Sequence, residues 1–157
     1  MLHTQPLEYP IMKRVLLIDD DKAVNFFNER VVVGHSEFEH VKTVQSGKDG
    51  LLFLDQVLSG EEAKPDIIFL DINMPAMNGW EFLDHYEQLN ADFRSDIQVI
   101  ILSSSSNPEH VKKSIVNYKV RDFINKPLSF NILDGVLKTV NDTSFRSQEI
   151  NKLNFEV

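Results

Sequence analysis

Asp19 and Asp20 follow directly on the apolar residues 15–18, and Asp21 comes next. Asp71 ends the apolar run 67–70, Ser103 follows 99–102, and Asn125 and Lys126 follow 122–124. Each has an ordinary explanation alone. An aspartate after a strand is a helix-cap candidate, Ser103 opens a run of serines that reads as a loop, and Lys126 before Pro127 reads as a solvated turn residue. As a set they suggest chemistry. Three carboxylates within about 4–6 Å of one another repel by a few kcal/mol even at an effective dielectric near 20, so such a group persists where a cation or a lysine balances it. With no His or Cys among the candidates, the oxygen ligands suit a hard divalent ion, Mg²⁺ with retained waters. A carboxylate beside such an ion accepts a phosphoryl group as an acyl phosphate, while a lysine offsets the charge and a hydroxyl donates a hydrogen bond. That chemistry points to Asp71 as the acceptor.

These residues meet only if the elements carrying them line up. Residues 15–18, 67–70, 99–102 and 122–124 are almost continuously apolar, as strands covered on both faces must be, and the more polar 38–44 suits an edge. Helical spacing appears between them. Val24, Phe27 and Val31 recur on one side of 21–31, Leu51, Leu54 and Leu58 in 48–58, and Phe82, Leu83, Tyr86 and Leu89 in 78–89. Asn107 and Pro108 read as the start of a helix with Val111 and Ile115 inside, and Ser129 as the cap of 129–140 with Ile132, Leu133, Val136, Leu137 and Val140 inside. Strand and helix alternate five times, which predicts an α/β fold, a doubly wound parallel sheet with helices on both faces. All the polar strand ends then share one edge, where open parallel sheets bind ligands.

Bulk composition narrows the classes. A chain of 157 residues, 42% hydrophobic, is expected to form one domain that buries about two thirds of its unfolded surface. A net charge of −8 argues against direct nucleic-acid binding, which needs clustered Lys and Arg. Without cysteine there is no disulfide, thiolate-held zinc or thiol nucleophile. Residues 1–12 lack the pattern of a signal peptide, and no apolar run approaches the roughly 20 residues of a membrane span, so a cytoplasmic protein without membrane insertion is the simplest reading. No glycine-rich loop ends in Gly-Lys-Ser/Thr, which excludes a P-loop enzyme. A haloacid-dehalogenase-type phosphatase places its aspartate nucleophile after the first strand, and Asp71 lies far downstream of it. Flavin binding is compatible with the fold but has no phosphate-cradling loop to support it.

The stretches "LLIDDD", "FLDINMPAMNGWEFL", "VIILSSS" and "FINKP" stand in the order and spacing of one family. Over residues 13–141 the chain resembles the receiver domain of two-component response regulators. The resemblance implies a flavodoxin-like (CheY-like) five-stranded sheet in the order 2-1-3-4-5, flanked by an N-terminal extension, 1–12, and a tail, 142–157, with no output domain. Carried over by position, Asp71 would be the phosphoacceptor. Asp20 would ligate Mg²⁺ directly, Asp19 chiefly through water, and the backbone carbonyl of Asn73 would complete the protein ligands. Ser103 would be the switch hydroxyl, Lys126 the phosphate-pairing lysine with a cis bond to Pro127, and Phe123 the switch aromatic; Pro75 and Gly79 would shape the loop after the acceptor.

Three positions depart from or vary within the family pattern. The residues two after the acceptor and two after the switch hydroxyl, Asn73 and Ser105, are small and polar, and Ser103 replaces the expected threonine. The implied partners are a sensor histidine kinase or a histidine phosphotransfer protein, and a downstream protein that the sequence does not name. The resemblance implies that the protein turns over no external substrate beyond its own phosphorylation and dephosphorylation. The family's output surface, its fourth helix, fifth strand and fifth helix, would here include Lys112, Lys113, Tyr118, Lys119 and Arg121, for which a solvated face is the alternative. A receiver-like scaffold that binds partners without being phosphorylated is the competing reading.

Overall fold

The computed structural model describes residues 13–104 and 108–141. Its elements are β1 (Lys13–Ile18), α1 (Lys22–Gly34), β2 (Phe38–Val44), α2 (Gly47–Leu58), β3 (Ile67–Asp71), α3 (Gly79–Tyr86), α4 (Ala91–Arg94), β4 (Gln98–Ser103), α5 (Pro108–Tyr118), β5 (Asp122–Asn125) and α6 (Phe130–Asn141). Five parallel strands form one sheet in the order β2-β1-β3-β4-β5. This is the expected architecture, with the more polar β2 on an edge.

The continuous apolar strands are explained by cover on both faces. Leu16, Ile18, Ile68, Leu70 and Ile101 join Phe53, Leu54, Phe82, Leu83 and Tyr86 of α2 and α3 on one side. The alternate residues Val15, Leu17, Ile67, Phe69, Ile100 and Leu102 join Val32 of α1 and Leu133 and Val136 of α6 on the other. Successive side chains of a strand point to opposite faces, so neither face tolerates a polar residue in mid-strand.

The helices correct several expectations. Val24 and Val31 of α1 are only half-buried and Phe27 is 50% exposed, whereas Asn25, Asn28 and Val32 face inward. The first turns of α1 lie against backbone carbonyls and N–H groups at the strand ends, where amides bond and hydrocarbon does not. Leu58 is exposed at the last turn of α2, whose buried residues are Gly47, Gly50, Phe53 and Leu54. The third helical pattern ends at Tyr86 rather than 89, and the unforeseen short α4 follows, with Asn90 Oδ1 accepting from the N–H groups of Asp92 and Phe93. Ser129 caps α6 as expected, its Oγ accepting from Ile132 N–H at 3.2 Å. Asn107 as a cap, Ser105, the side chains of Val111, Ile115 and Val140, the extension 1–12 and the tail 142–157 lie outside the described residues.

The loop from β3 to α3 is tight. Gly79 N–H donates to the Ile72 carbonyl at 2.8 Å, Met77 N–H to the Pro75 carbonyl at 2.7 Å, and Ala76 between them takes φ 65°. A Cβ on Gly79 would lie 2.7 Å from the carbonyl oxygen of Asp71 and 2.9 Å from Ile72 Cα. Gly79→Ala is therefore expected to cost about 1–3 kcal/mol, as overpacking against backbone does. It should lower the urea midpoint without changing the slope.

Candidate functional site

The strand register sets the site. Asp71 at the end of β3 stands beside Leu102, and Ser103 at the end of β4 stands beside Asn125, so Lys126 emerges one residue further along the same edge. Lys126 N–H donates to the Ser103 carbonyl at 2.9 Å, and the bond to Pro127 is cis. Asp19, Asp71 and Ser103 are buried, Lys126 is half-buried and Asp20 is exposed.

The cap and the cluster are separate residues. Asp21 is the N-cap of α1, its Oδ1 accepting from Ala23 N–H at 2.9 Å and Val24 N–H at 3.2 Å. Asp19 in turn accepts from Asp21 N–H at 2.9 Å. The capping explanation thus accounts for Asp21 and leaves Asp19, Asp20 and Asp71 as a group whose ligand oxygens lie within 4.8 Å of one another.

Lys126 bridges two of them. Its Nζ lies 2.6 Å from Asp19 Oδ2 and 3.2 Å from Asp71 Oδ1. Burial, reinforced by the Asp19 charge, pushes the Asp71 carboxyl up to about 6, against the pull of Lys126 and of the Asn73 N–H. Burial works against the Lys126 ammonium too, but its bond to Asp19 and the charges of Asp19 and Asp71 win, and its pKa is raised. The site thus gathers three carboxyl groups and one ammonium, a surplus of acidic over basic groups. An oxygen-only donor set with that surplus fits a hard divalent cation.

Around this centre the other predicted residues take definite places. Phe123 pairs with Ile101 and is half-buried against the core on the α2–α3 side. Pro75 lies in the β3–α3 loop and is exposed, as is Asn73. The basic group on α5 and in the turn after it divides. The Lys113 ammonium sits 5.0 Å from the Trp80 ring centroid, and Tyr118 stacks on Trp80 and donates its hydroxyl to Asp84 Oδ1 at 2.8 Å. Lys112 and Lys119 are exposed, and Arg121 is half-buried.

The family model of the response regulator receiver domain matches residues 15–138. The chain belongs to that family. This receiver is 31% identical over 136 residues to the probable C4-dicarboxylate response regulator DctR of Halalkalibacterium halodurans, covering 87% of this chain and 54% of that protein. The chain thus spans about half the length of that relative. It is 28% identical over 133 residues to the two-component response regulator ARR12 of Arabidopsis thaliana, covering 85% of this chain and 20% of that one. Among solved structures, a two-component response regulator from Cytophaga hutchinsonii superposes with a TM-score of 0.76 at 34% identity, covering 83% of this receiver and 98% of that chain. The Mn²⁺-bound form of response regulator Rcp1 superposes with a TM-score of 0.62 at 26% identity, covering 83% and 93%. Among the described residues of this receiver, no helix is long and apolar enough to cross a membrane.

Sequence reasoning missed the amides on α1. Asn25 Nδ2 donates to the carbonyls of Asp19 at 2.8 Å and Val44 at 3.0 Å, and Asn28 Oδ1 accepts from Leu128 N–H at 3.3 Å. Both recur three apart among apolar neighbours, and that periodicity was the available signal. A second missed feature is an open hollow of about 420 Å³ lined by Ala23, Val24, Phe27, Lys126 and Pro127, beside the acidic cluster.

Proposed function

We propose that this receiver accepts a phosphoryl group on Asp71 from a phosphohistidine of a sensor kinase or phosphotransfer protein. It then signals through protein–protein contacts in a phosphorelay. The observation that carries this reading is the ammonium of Lys126 lying against both Asp19 and Asp71 in a cluster of three carboxylates. In the transfer, an Asp71 carboxylate oxygen attacks phosphorus, the phosphorus–nitrogen bond breaks, and the imidazole leaves with the bonding pair. Lys126 turns from the carboxylates toward the incoming phosphoryl oxygens, and the Ser103 hydroxyl donates to them, each stabilising charge that grows on transfer. Asp19, Asp20, Asp71 and the Asn73 carbonyl would hold Mg²⁺, which supplies neutralisation of the phosphoryl charge.

Intact mass spectrometry tests this reading. After incubation with a small phosphodonor and Mg²⁺, wild type should gain one phosphoryl group and Asp71→Asn none. No adduct on wild type, under donors that modify other receivers, favours the scaffold reading instead.

A protein donor must also approach across the hollow beside Lys126, and Phe27 supplies its apolar wall while remaining half-exposed. Phe27→Ser is therefore expected to slow transfer from a phosphohistidine protein by roughly tenfold, the equivalent of about 1.4 kcal/mol of lost apolar contact. Phosphorylation by a small donor should be unchanged. Equal loss with both donors would contradict this placement of the donor.

A further inference from the structure

Amides are costly to bury unless each finds partners, so two of them on the inward face of a helix require a reason. Asn25 is 4% exposed and Asn28 1%. Asn25 ties the carbonyl of Asp19 to that of Val44, joining the ends of β1 and β2 just where the acidic cluster begins. Its Oδ1 is buried with no partner, so the amide's donors are what this position uses. Asn28 reaches much further along the chain. Its Oδ1 accepts the N–H of Leu128, two residues beyond Lys126. Pro127 between them has no N–H to give. Lys126 N–H is taken by the Ser103 carbonyl. The backbone that carries Lys126 is thus held at two points, one on β4 and one on α1.

We infer that Asn28, with Asn25 beside it, is a positioning residue that sets where the Lys126 ammonium lies between Asp19 and Asp71. Through one buried helix face, α1 then fixes both the carbonyl end of β1 and the turn that delivers the lysine. Removing the Asn28 amide frees the Leu128 N–H and lets the turn shift, so the ammonium loses its fixed distance to the two carboxylates. The consequence for phosphorylation rate rests on the proposed acceptor role of Asp71. The placement of Lys126 does not.

Two measurements on the full chain separate these. First, wild type, Asn28→Ala and Asn28→Ser are exposed without metal to a limiting amine acylating reagent, and labelling of each lysine is quantified by peptide mass spectrometry. The serine hydroxyl is too short to reach Leu128, and this variant decides the matter if the alanine variant does not fold. Labelling of Lys126 relative to the exposed Lys48 and Lys112 should rise several-fold in the variants, with the other lysines unchanged. A folded variant with the wild-type labelling pattern overturns the inference. Second, the rate of phosphorylation by a small donor should fall by roughly tenfold in the Asn28 variants, as a displaced catalytic group predicts. In a Lys126→Ala background the same change should have no further effect. Fully additive losses overturn the inference, because they show Asn28 acting independently of the lysine. Raised Lys126 labelling in a protein that no donor modifies would sink the acceptor role of Asp71 and leave the positioning role standing.

Discussion

Asp71→Asn is expected to make the metal-free protein more stable at pH 7.5 by about 2 kcal/mol. The Asp71 carboxyl stands at about 6 because burial and the Asp19 charge oppose its ionisation, against an ordinary value of 3.8. The native state therefore holds this proton more tightly than the unfolded chain does. The resulting stability is fully present below about pH 4 and is lost as pH rises toward and through about 6. A difference of roughly two units corresponds to about 3 kcal/mol with the pull of Lys126 already included, and the amide, a poorer partner for the Lys126 ammonium than a carboxyl oxygen, recovers about 2 of these. Urea unfolding in EDTA should show the variant ahead of wild type at pH 7.5 and level with it near pH 4. An equal gain at both pH values would mean that the charge is not its source. Millimolar Mg²⁺ should narrow or reverse the order at pH 7.5, because wild type gains binding free energy that the variant lacks.

Lys126→Met should act in the opposite direction. The side chain balances Asp19 and Asp71, and the raised pKa of its ammonium means it contributes stability in full at pH 7.5, losing it only as pH rises through that raised value. Removing the cation leaves buried carboxylates uncompensated, which costs about 2–4 kcal/mol for a half-buried pair. Denaturation in EDTA measures that cost. Mg²⁺ should restore a larger share of stability to the variant than it adds to wild type, because the ion supplies the missing positive charge. A loss that is insensitive to Mg²⁺ would mean that Lys126 acts by packing and not by charge.

The parts of the molecule legible in the sequence are those where one physical rule dominates. Residues 67–70 read as a buried strand because all four are apolar, and Ile67 and Phe69 do face one core while Ile68 and Leu70 face the other. Asp71, Ser103 and Lys126 stood out because polar residues at strand ends of a parallel sheet share an edge. Misreadings arose where backbone polarity competed with hydrocarbon burial. The apolar spacing of Val24, Phe27 and Val31 marks one side of α1 as its inner face, yet the strand ends and the turn before α6 present N–H and carbonyl groups to that helix, so Asn25 and Asn28 turn inward instead. Phe26 and Phe27 are left 62% and 50% exposed. No periodicity in one helix can reveal a bond between Asn28 and Leu128, because it depends on how α1 and the β5–α6 turn meet in three dimensions. The same holds for Trp80 and Tyr118, which are far apart in the sequence and stack across α3 and α5.

The position of the phosphoryl group is the most direct test of the function proposed for this site. After exposure to a small phosphodonor and Mg²⁺, borohydride reduction converts an aspartyl phosphate to the corresponding alcohol and leaves free carboxylates untouched. Peptide mapping should then find reduction at Asp71 and at no other aspartate, and none in protein treated without the donor. Reduction at Asp19 or Asp20, or phosphoryl adducts that resist borohydride and map to serine or histidine, would contradict Asp71 as the acceptor.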